Sequence, residues 1–460
     1  MSTFLYRSYS ALVLCTLFLF SSCQKFTEVP APQNQILSDA VFSNDATANS
    51  AVVGLYSQFM RPHMYFANCG LSIYPALSAD ELYNTAPNAD FDAVRINDIS
   101  SNQTGVLVWL WTPVFEAIYQ CNALLEGFSK PNGLTPSVQQ QLRGEASFVR
   151  AFSYFYLVNL FGDLPLPLST DYRMNAVLPR TSATNVYKQI IDDLQTAVEN
   201  LPAQQINPTR TRPNKWAAQT LLARVYLYLG RWEDAVTTAS FIIDNSDFVL
   251  GTNLESVFLA GSKETIWQLS PLGTTTYTSL GVQFIPSTAS IRPTFSTTED
   301  LWQSFEAGDK RASTWLKTVV IGGETYHYPF KYKQRAGMVS TEYHIVFRLA
   351  EPYLIRAEAL AMLQQPELAL EDLNRIHTRA GLTPLASLTD ESLLRAIEKE
   401  RFVELFTEWG HRWFDLKRTG RSDAVLGPLK GTSWQSTDVL YPVPLEELQR
   451  NVYLQQNPGY

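Results

Sequence analysis

The sequence lacks a basic patch of the kind that binds nucleic acid. Among its 460 residues, 36 Lys and Arg stand against 44 Asp and Glu, and nowhere do five basic residues follow one another. Nucleic-acid binding depends on a clustered basic face that neutralises phosphates. With a formal net charge of −8 and scattered cations, we expect no nucleic-acid partner.

The motifs of common enzymes and metal sites are also missing. HExxH, GxSxG and GxxxxGK[ST] do not occur, and the five His show no ligand spacing. None of the four Cys belongs to a CxxC motif or a Cys/His cluster. We therefore expect no catalytic residues, no metal site and no cofactor.

No apolar stretch is long enough to be a transmembrane helix at the N-terminus. Ala11–Phe20 spans ten residues, too few for a bilayer core of roughly 30 Å, and is typical of a secretory signal. Ser21 and Ser22 then precede Cys23, which resembles the bacterial lipobox, where the cysteine becomes the mature N-terminus and carries acyl chains. The prediction is a signal peptide over residues 1–22 and lipidation at Cys23. An ordinary cleaved signal with an incidental thiol is the alternative.

Two cysteines lie beyond the anchor. Cys69 and Cys121 have the right context for a disulfide in an oxidising compartment, but the sequence does not reveal their separation in space. Two buried thiols are the alternative, and both interpretations stay open here. The residues that follow Cys23, to about position 38, contain Pro30 and Pro32 and no helical period, which predicts an extended tether.

The chain is rich in hydrophobic residues (45%) and poor in charged ones (17%), which is sufficient for a large core. Apolar residues recur at steps of three and four over long stretches, the period of an amphipathic helix. The pattern predicts helices over Val108–Phe128, Ser137–Phe161, Asn185–Leu201, Trp216–Asp244, Ala350–Leu363, Pro366–Ala380 and Glu391–Trp409.

Two of these stretches repeat each other. Leu221–Val236 (LLARVYLYLGRWEDAV) aligns without gaps with Ile355–Leu370 (IRAEALAMLQQPELAL), and Phe148–Phe161 carries a looser version. Small residues, then a turn, then alanine on a second helix are typical of a tetratricopeptide-like hairpin. The predicted fold is mostly α: such hairpins form a scaffold, with long irregular loop and short-strand insertions over about 64–103 and 246–346.

Several long motifs resemble one known family. They occur in order along the chain: GEASFVRAFSYFYLVNLFGDLPLPL at Gly144–Leu168, YLIRAEALAML at Tyr353–Leu363, LNRIHTRAGL at Leu373–Leu382, IEKERFVELFTEWGHRWFDLKRTGR at Ile397–Arg421, YPVPLEEL at Tyr441–Leu448 and QNPGY at Gln456–Tyr460. Together with the lipobox they are similar to the SusD/RagB family of outer-membrane nutrient-binding lipoproteins.

The resemblance implies an organisation, a location and partners. It implies a SusD-like domain over 39–460, with an N-terminal part to about 245 and a C-terminal part from about 246. It implies lipid anchoring in the outer membrane, facing the extracellular side, and a SusC-like TonB-dependent transporter as partner. The ligand implied is a glycan oligomer or, in the RagB branch, a peptide. A peripheral glycoside hydrolase on a helical scaffold is the alternative from another class.

The signature motifs contain charged residues at apolar helical positions. A hydrolase would use two of the carboxylates as an acid/base pair. Ion pairs that lock helix packing are the favoured interpretation. The residues concerned are Arg150, Glu358, Arg401, Glu404, Arg412 and Asp415.

Ligand-binding residues are expected in the aromatic-rich insertions. A pyranose offers a C–H face that stacks on a ring and hydroxyls that need planar amide or carboxylate partners. For any single ring, packing in the core is the alternative. The candidates are Asp80, Glu81, Tyr83 and Asn84 first, and Trp302 and Trp315 second.

Overall fold

The computed structural model describes residues 38–61, 64–244 and 247–460. The predicted signal peptide, Cys23 and the tether lie outside these ranges. Helices dominate: α1 Ser38–Val41, α2 Asp45–Phe59, α3 Leu71–Ser78, α4 Ala89–Ile96, α5 Thr104–Phe128, α6 Pro136–Phe161, α7 Tyr172–Asn175, α8 Ala183–Asn200, α9 Lys215–Tyr228, α10 Trp232–Ile243, α11 Ser279–Phe284, α12 Glu299–Ser304, α13 Lys310–Trp315, α14 Ala350–Met362, α15 Pro366–Arg379, α16 Asp390–Leu405, α17 His411–Arg418, α18 Ser422–Lys430 and α19 Leu445–Arg450.

Three short antiparallel strand pairs interrupt the helices. The strands are β1 Leu82–Asn84, β2 Thr265–Leu269, β3 Phe295–Thr297, β4 Leu316–Ile321, β5 Glu324–Pro329 and β6 His344–Arg348. β1 pairs with β3, β2 with β6, and β4 with β5. Because β1 belongs to the first insertion and β3 to the second, their pairing joins segments that are far apart in the sequence.

The two repeated stretches form the predicted helical hairpins. α9 packs on α10, α14 packs on α15, and α10 lies against α14, so the hairpins stack. The matched alanines Ala223 and Ala357 are completely buried where the helices pack. Small side chains at these positions allow neighbouring helices to lie close together. Gly230 adopts a φ of +67° and ends α9, so the predicted helix over Trp216–Asp244 is two helices. The predicted mostly α, tetratricopeptide-like fold is confirmed.

α6 forms the centre of the core. It packs between α5 and α8, and its residues from Gly144 to Val158 are all buried. The Phe152 ring makes edge contacts with Trp267 on β2 and with Trp409 after α16, at centroid distances of 5.4 and 5.7 Å. The hairpin scaffold and the insertions therefore share one aromatic core. Within the described ranges no helix is both long and apolar enough to cross a membrane.

The structure corrects two predicted boundaries. The first insertion is largely helical, since α3 and α4 lie within it; α3 contains Pro75, and the Asn88 side chain caps α4 by accepting from the backbone N–H of Phe91. These helices are short, so their periodicity is hard to detect. The helix predicted over Glu391–Trp409 ends at Leu405, because the next residues take extended and left-handed backbone conformations.

The structure does not join Cys69 to Cys121. Both thiols are buried, and the Cys69 Sγ lies 3.5 Å from the sulfur of Met64. Of the two interpretations left open by the sequence, the structure supports buried thiols.

Candidate functional site

The signature charges form buried ion pairs. The Glu404 carboxylate accepts hydrogen bonds from the guanidinium groups of Arg348, Arg311 and Arg379. The Nη1 atoms of Arg348 and Arg311 lie 2.5 and 3.0 Å from its oxygens. Burial alone raises the pKa of this carboxyl, but the three guanidinium groups outweigh it and hold the pKa below its usual value. Glu404 is therefore ionised, and it fastens α16 to α15, β6 and α13.

The other signature residues are paired in the same way. Arg150 binds Asp193 through Nε at 2.8 Å and Nη2 at 2.6 Å. Arg401 donates a hydrogen bond to Asp415, and the Glu358 carboxylate accepts hydrogen bonds from both Nη atoms of Arg418. The prediction that these charges form ion pairs between packed helices is confirmed, because each of these carboxylates is paired with a guanidinium group.

The first candidate group is brought together with the second by β pairing. Tyr83 on β1 lies opposite Ser296 on β3. The Ser296 hydroxyl donates to the backbone carbonyl of His327 on β5, 2.6 Å away. β1, β3 and the β4–β5 hairpin thus lie side by side, and we call Tyr83, Trp302 and His327 the insertion platform.

The central feature of the insertion platform is a ring stack. The Trp302 indole lies on the His327 imidazole with centroids 3.7 Å apart and planes 8° from parallel. The Thr318 hydroxyl and His327 Nδ1 form a hydrogen bond of 2.8 Å, which fixes the imidazole plane. Burial lowers the pKa of His327, which favours the neutral ring. Trp302 and His327 are only half-buried, so the stack reaches the surface.

Thr298 positions Trp302. Its side chain caps α12 by accepting from the Leu301 N–H at 3.2 Å, and its hydroxyl donates to the carbonyl of Asp80. Its own N–H donates to the carbonyl of Glu81, 3.0 Å away. The helix that carries Trp302 is therefore fixed to the segment that leads into β1.

The structure gives Asp80 and Glu81 structural roles in place of the predicted ligand contact. Asp80 is buried and held by both Nε and Nη2 of Arg412. Glu81 is 1% exposed and accepts the N–H of Thr407 at 2.9 Å. Burial raises its pKa from 4.5 to about 8, so it is mainly protonated at neutral pH. The Glu81 carboxyl is enclosed by protein, so a ligand does not reach it, and the oxygens of Asp80 are already taken by Arg412.

The predicted ligand contact of Trp315 is also wrong, because the side chain is buried. It is fully buried, its indole N–H donates to the Leu254 carbonyl at 3.0 Å, and its ring meets Phe258 edge-on. Asn84 is half-buried, and its amide donates to Asp92 Oδ1 at 3.0 Å and to the Ala86 carbonyl at 2.8 Å. Asn84 thus braces the loop beside Tyr83. Of the predicted ligand-binding residues, Tyr83 and Trp302 are the members of the insertion platform, and both are partly exposed to solvent.

A polar cleft of about 430 Å³ runs beside α12. It is lined by exposed residues of α12 and α16, such as Gln303 and Lys399, and by the Asp80–Arg412 pair. Its polar lining offers hydrogen bonds next to the helix that carries Trp302. Among the described residues no group of His, Cys, Asp and Glu is arranged to hold a metal ion.

Sequence reasoning missed two aromatic features. His327 lies opposite Thr318 in the β4–β5 hairpin, and the sequence around it gives no signal for this register. Tyr65 and Trp109 form a second half-buried ring pair with centroids 4.7 Å apart, and no local pattern connects them.

Comparison with known proteins places this geometry in a family. The SusD-like model described as starch-binding and associating with the outer membrane matches residues 25–227, and the SusD family model matches residues 292–460. The SusD-like protein P2 of Formosa agariphila is 27% identical over 99% of this chain and 100% of its own length. The starch-binding protein SusD of Bacteroides thetaiotaomicron is 25% identical over 76% of this chain and 78% of its own.

Solved structures share the fold. A laminarin-binding SusD-like protein superimposes with a TM-score of 0.77 at 23% identity, covering 91% of this chain and 100% of that one. The surface glycan-binding protein A from Bacteroides uniformis gives 0.78 at 21% identity, covering 90% and 99%. Because the two family models together match residues 25–227 and 292–460, the chain belongs to the SusD family of glycan-binding, outer-membrane-associated proteins.

Proposed function

We propose that the protein captures glycan oligomers at the cell surface and delivers them to a SusC-like TonB-dependent transporter, without chemistry of its own. Cys23 carries the lipid that holds the protein to the outer membrane, and the domain faces the extracellular side. The observation that carries the ligand class is the half-buried Trp302–His327 stack, because a ring stack that reaches the surface offers apolar area for the C–H face of a pyranose.

The neutral state of His327 supports a glycan over a charged ligand at this position. Burial lowers the pKa of His327, which favours the uncharged imidazole. Sugar hydroxyls find hydrogen-bond partners in the polar cleft beside α12. Among solved structures of the same fold, one is described as laminarin-binding and another as a surface glycan-binding protein.

The proposal that the protein has no chemistry of its own rests on the ion pairs. Asp80, Glu404 and Asp415 are each held by guanidinium groups. A glycosidase needs one carboxyl kept protonated as the acid and another free as base or nucleophile. Carboxylates committed to buried arginines are not suited to this work.

A polysaccharide panel tests the proposal. The chain from residue 24 onward is run through native gels containing laminarin, starch or other glycans, and the same mixtures are analysed for released sugars. Retention without product is expected. Released sugar would favour the hydrolase alternative, and the absence of retention in every glycan, together with binding of oligopeptides in calorimetry, would replace the glycan with a peptide.

A further inference from the structure

A groove runs along the outer face of α5, and none of the residues of the insertion platform lines it. Two cavities, of about 680 and 610 Å³, lie along this helix. Tyr119 and Gln120 line both of them, so the cavities adjoin. α5 residues from Trp111 to Gly127 form one wall. The linker around Pro167 and the C-terminal segment around Arg450 form the other side of the larger cavity.

Tyr119 stands at the middle of this α5 groove with much of its ring in solvent. Its exposed fraction is 52%, which is unusual for an aromatic residue on a helix whose other face is core. Phe115 and Pro167 add apolar surface nearby. The groove therefore combines a flat ring with apolar walls.

Planar amides accompany the ring. Gln120 is exposed and lies next to Tyr119, and Asn175 and Asn451 face the larger cavity. The Asn175 amide donates to the Ser169 carbonyl at 2.8 Å, and the Asn451 amide donates to the Leu178 carbonyl at 2.8 Å. Both side chains are thus fixed in place before any ligand arrives.

Several charged side chains of the α5 groove already have partners within the protein. Glu116 is paired with Arg61 at 3.2 Å, and the Glu126 carboxylate accepts the N–H and hydroxyl of Thr170 at 2.7 and 2.6 Å. Arg450 is paired with Glu447 at 2.7 Å. A groove with an exposed ring, fixed amides and carboxylates that already have partners complements a neutral polyhydroxylated chain better than an anionic one.

We propose that the α5 groove is a second glycan-binding site, specific for neutral oligosaccharides and centred on Tyr119. This inference rests on the proposed function. It adds that one polysaccharide chain, or two short oligosaccharides, engages the protein at two separate places. Two sites on one body raise the affinity for a polymer above that for short fragments, because the second contact forms at high effective concentration.

Calorimetric stoichiometry tests the second site. Laminarihexaose and maltohexaose are titrated into the chain from residue 24 onward. For the sugar that binds, we expect two molecules per chain in the wild type, one in Tyr119→Ala, one in Trp302→Ala and none in the double variant. Tyr172→Ala is the matched control, because this tyrosine is 72% exposed and lies outside the groove lining.

Polymer retention in native gels gives an independent readout. Tyr119→Ala should weaken the apparent affinity for laminarin or starch at least fivefold, while Tyr172→Ala should leave it unchanged. A single site in the wild type, or a Tyr119→Ala variant that matches the wild type in both stoichiometry and retention, overturns the second site while leaving the proposed function intact. If the wild type binds no glycan in any assay, the proposed function itself fails, and the second site with it.

Discussion

Arg412 holds Asp80 at two points, with Nε 2.8 Å from Oδ1 and Nη2 2.6 Å from Oδ2, although 332 positions separate them in the sequence. The side chains are 9% and 4% exposed. Arg412 also lies over the Phe402 ring at 4.1 Å. The pair therefore connects α17 to the segment before β1, and through Thr298 it supports the helix that carries Trp302.

Removing only one partner of the Asp80–Arg412 pair should lower the free energy of unfolding. Arg412→Met leaves the Asp80 carboxylate buried without its guanidinium, and we expect the free energy of unfolding to fall by about 3–5 kcal/mol in urea denaturation. Lys188→Met is the control: its pair with Asp192 is largely exposed, and its loss should cost less than about 1 kcal/mol.

The double variant Asp80→Leu/Arg412→Met separates the ion pair from general packing. It removes the stranded charge, so it should recover part of the stability lost in Arg412→Met. If Arg412→Met alone unfolds with the wild-type midpoint, the pair has no structural role and Asp80 returns as a ligand candidate.

Glu81 gives the protein a characteristic dependence on pH. Burial raises its pKa from 4.5 to about 8, with Asp80 raising it further and Thr407 N–H, Arg412 and Lys331 lowering it. The folded protein therefore binds a proton that the unfolded chain releases, and the contribution of Glu81 to stability falls as pH rises from about 4.5 to about 8.

Glu81→Gln removes this dependence and keeps an oxygen for the Thr407 N–H. The variant should match the wild type near pH 4.5 and exceed its unfolding free energy by roughly 2–4 kcal/mol at pH 9. The measurement is thermal or urea unfolding at both pH values, with exposed Glu199→Gln as the control. Equal wild-type and variant stabilities at pH 9 would contradict the protonated state.

The two buried cysteines should be unreactive in the native protein. Cys69 is 1% exposed and burial raises the pKa of its thiol to about 12; Cys121 is fully buried and its pKa is raised by burial as well. In the chain from residue 24 onward, an aromatic disulfide reagent should detect no thiol before unfolding and two after it, without added reductant. Two missing thiols after unfolding would reveal a disulfide.

Most of the scaffold could be predicted because it obeys a local rule. α5, α6, α8, α14 and α15 show a continuous helical period, so their bounds agree with prediction to within a few residues. The end of α16 could not be predicted, because Thr407 and Trp409 adopt positive φ values for reasons that lie in the tertiary contacts around Trp409.

The site could be predicted only by region. Asp80 looked available because its sequence neighbours are polar and aromatic, and only the fold shows that Arg412 occupies it. Trp302 and His327 are brought together by a helix cap and a hairpin register, neither of which has a signal in the local sequence around both residues. Tyr119 was detectable: it lies three residues after Glu116 on the polar face of α5.

Lipidation at Cys23 should decide where the protein resides. Cys23→Ser should abolish incorporation of labelled palmitate and move the protein from the membrane fraction to the soluble fraction, since acyl chains contribute ~0.8 kcal/mol per buried methylene. Cys15→Ser, inside the predicted signal, should incorporate label normally. Membrane retention of unlabelled Cys23→Ser would point to another mode of attachment.

The insertion platform should lose its ligand when its rings are removed. Trp302→Ala takes away the indole that stacks on His327, and we expect at least tenfold weaker glycan binding at this site, which corresponds to about 1.4 kcal/mol. Trp302→Phe should keep part of the affinity because a flat ring remains. Tyr83→Ala should weaken binding as well, since β1, which carries Tyr83, is joined through Ser296 on β3 to the hairpin that carries His327.

Two variants make the platform result specific. Thr318→Val removes the hydrogen bond to His327 Nδ1 without touching the rings, so it should weaken binding less than Trp302→Ala does. Tyr453→Ala, at a tyrosine that is 59% exposed, should bind as the wild type does. Calorimetry is done in the Tyr119→Ala background so that one site is measured. If tight binding persists there in Tyr83→Ala/Trp302→Ala, the ligand lies elsewhere, because the stack and its neighbour are then both absent.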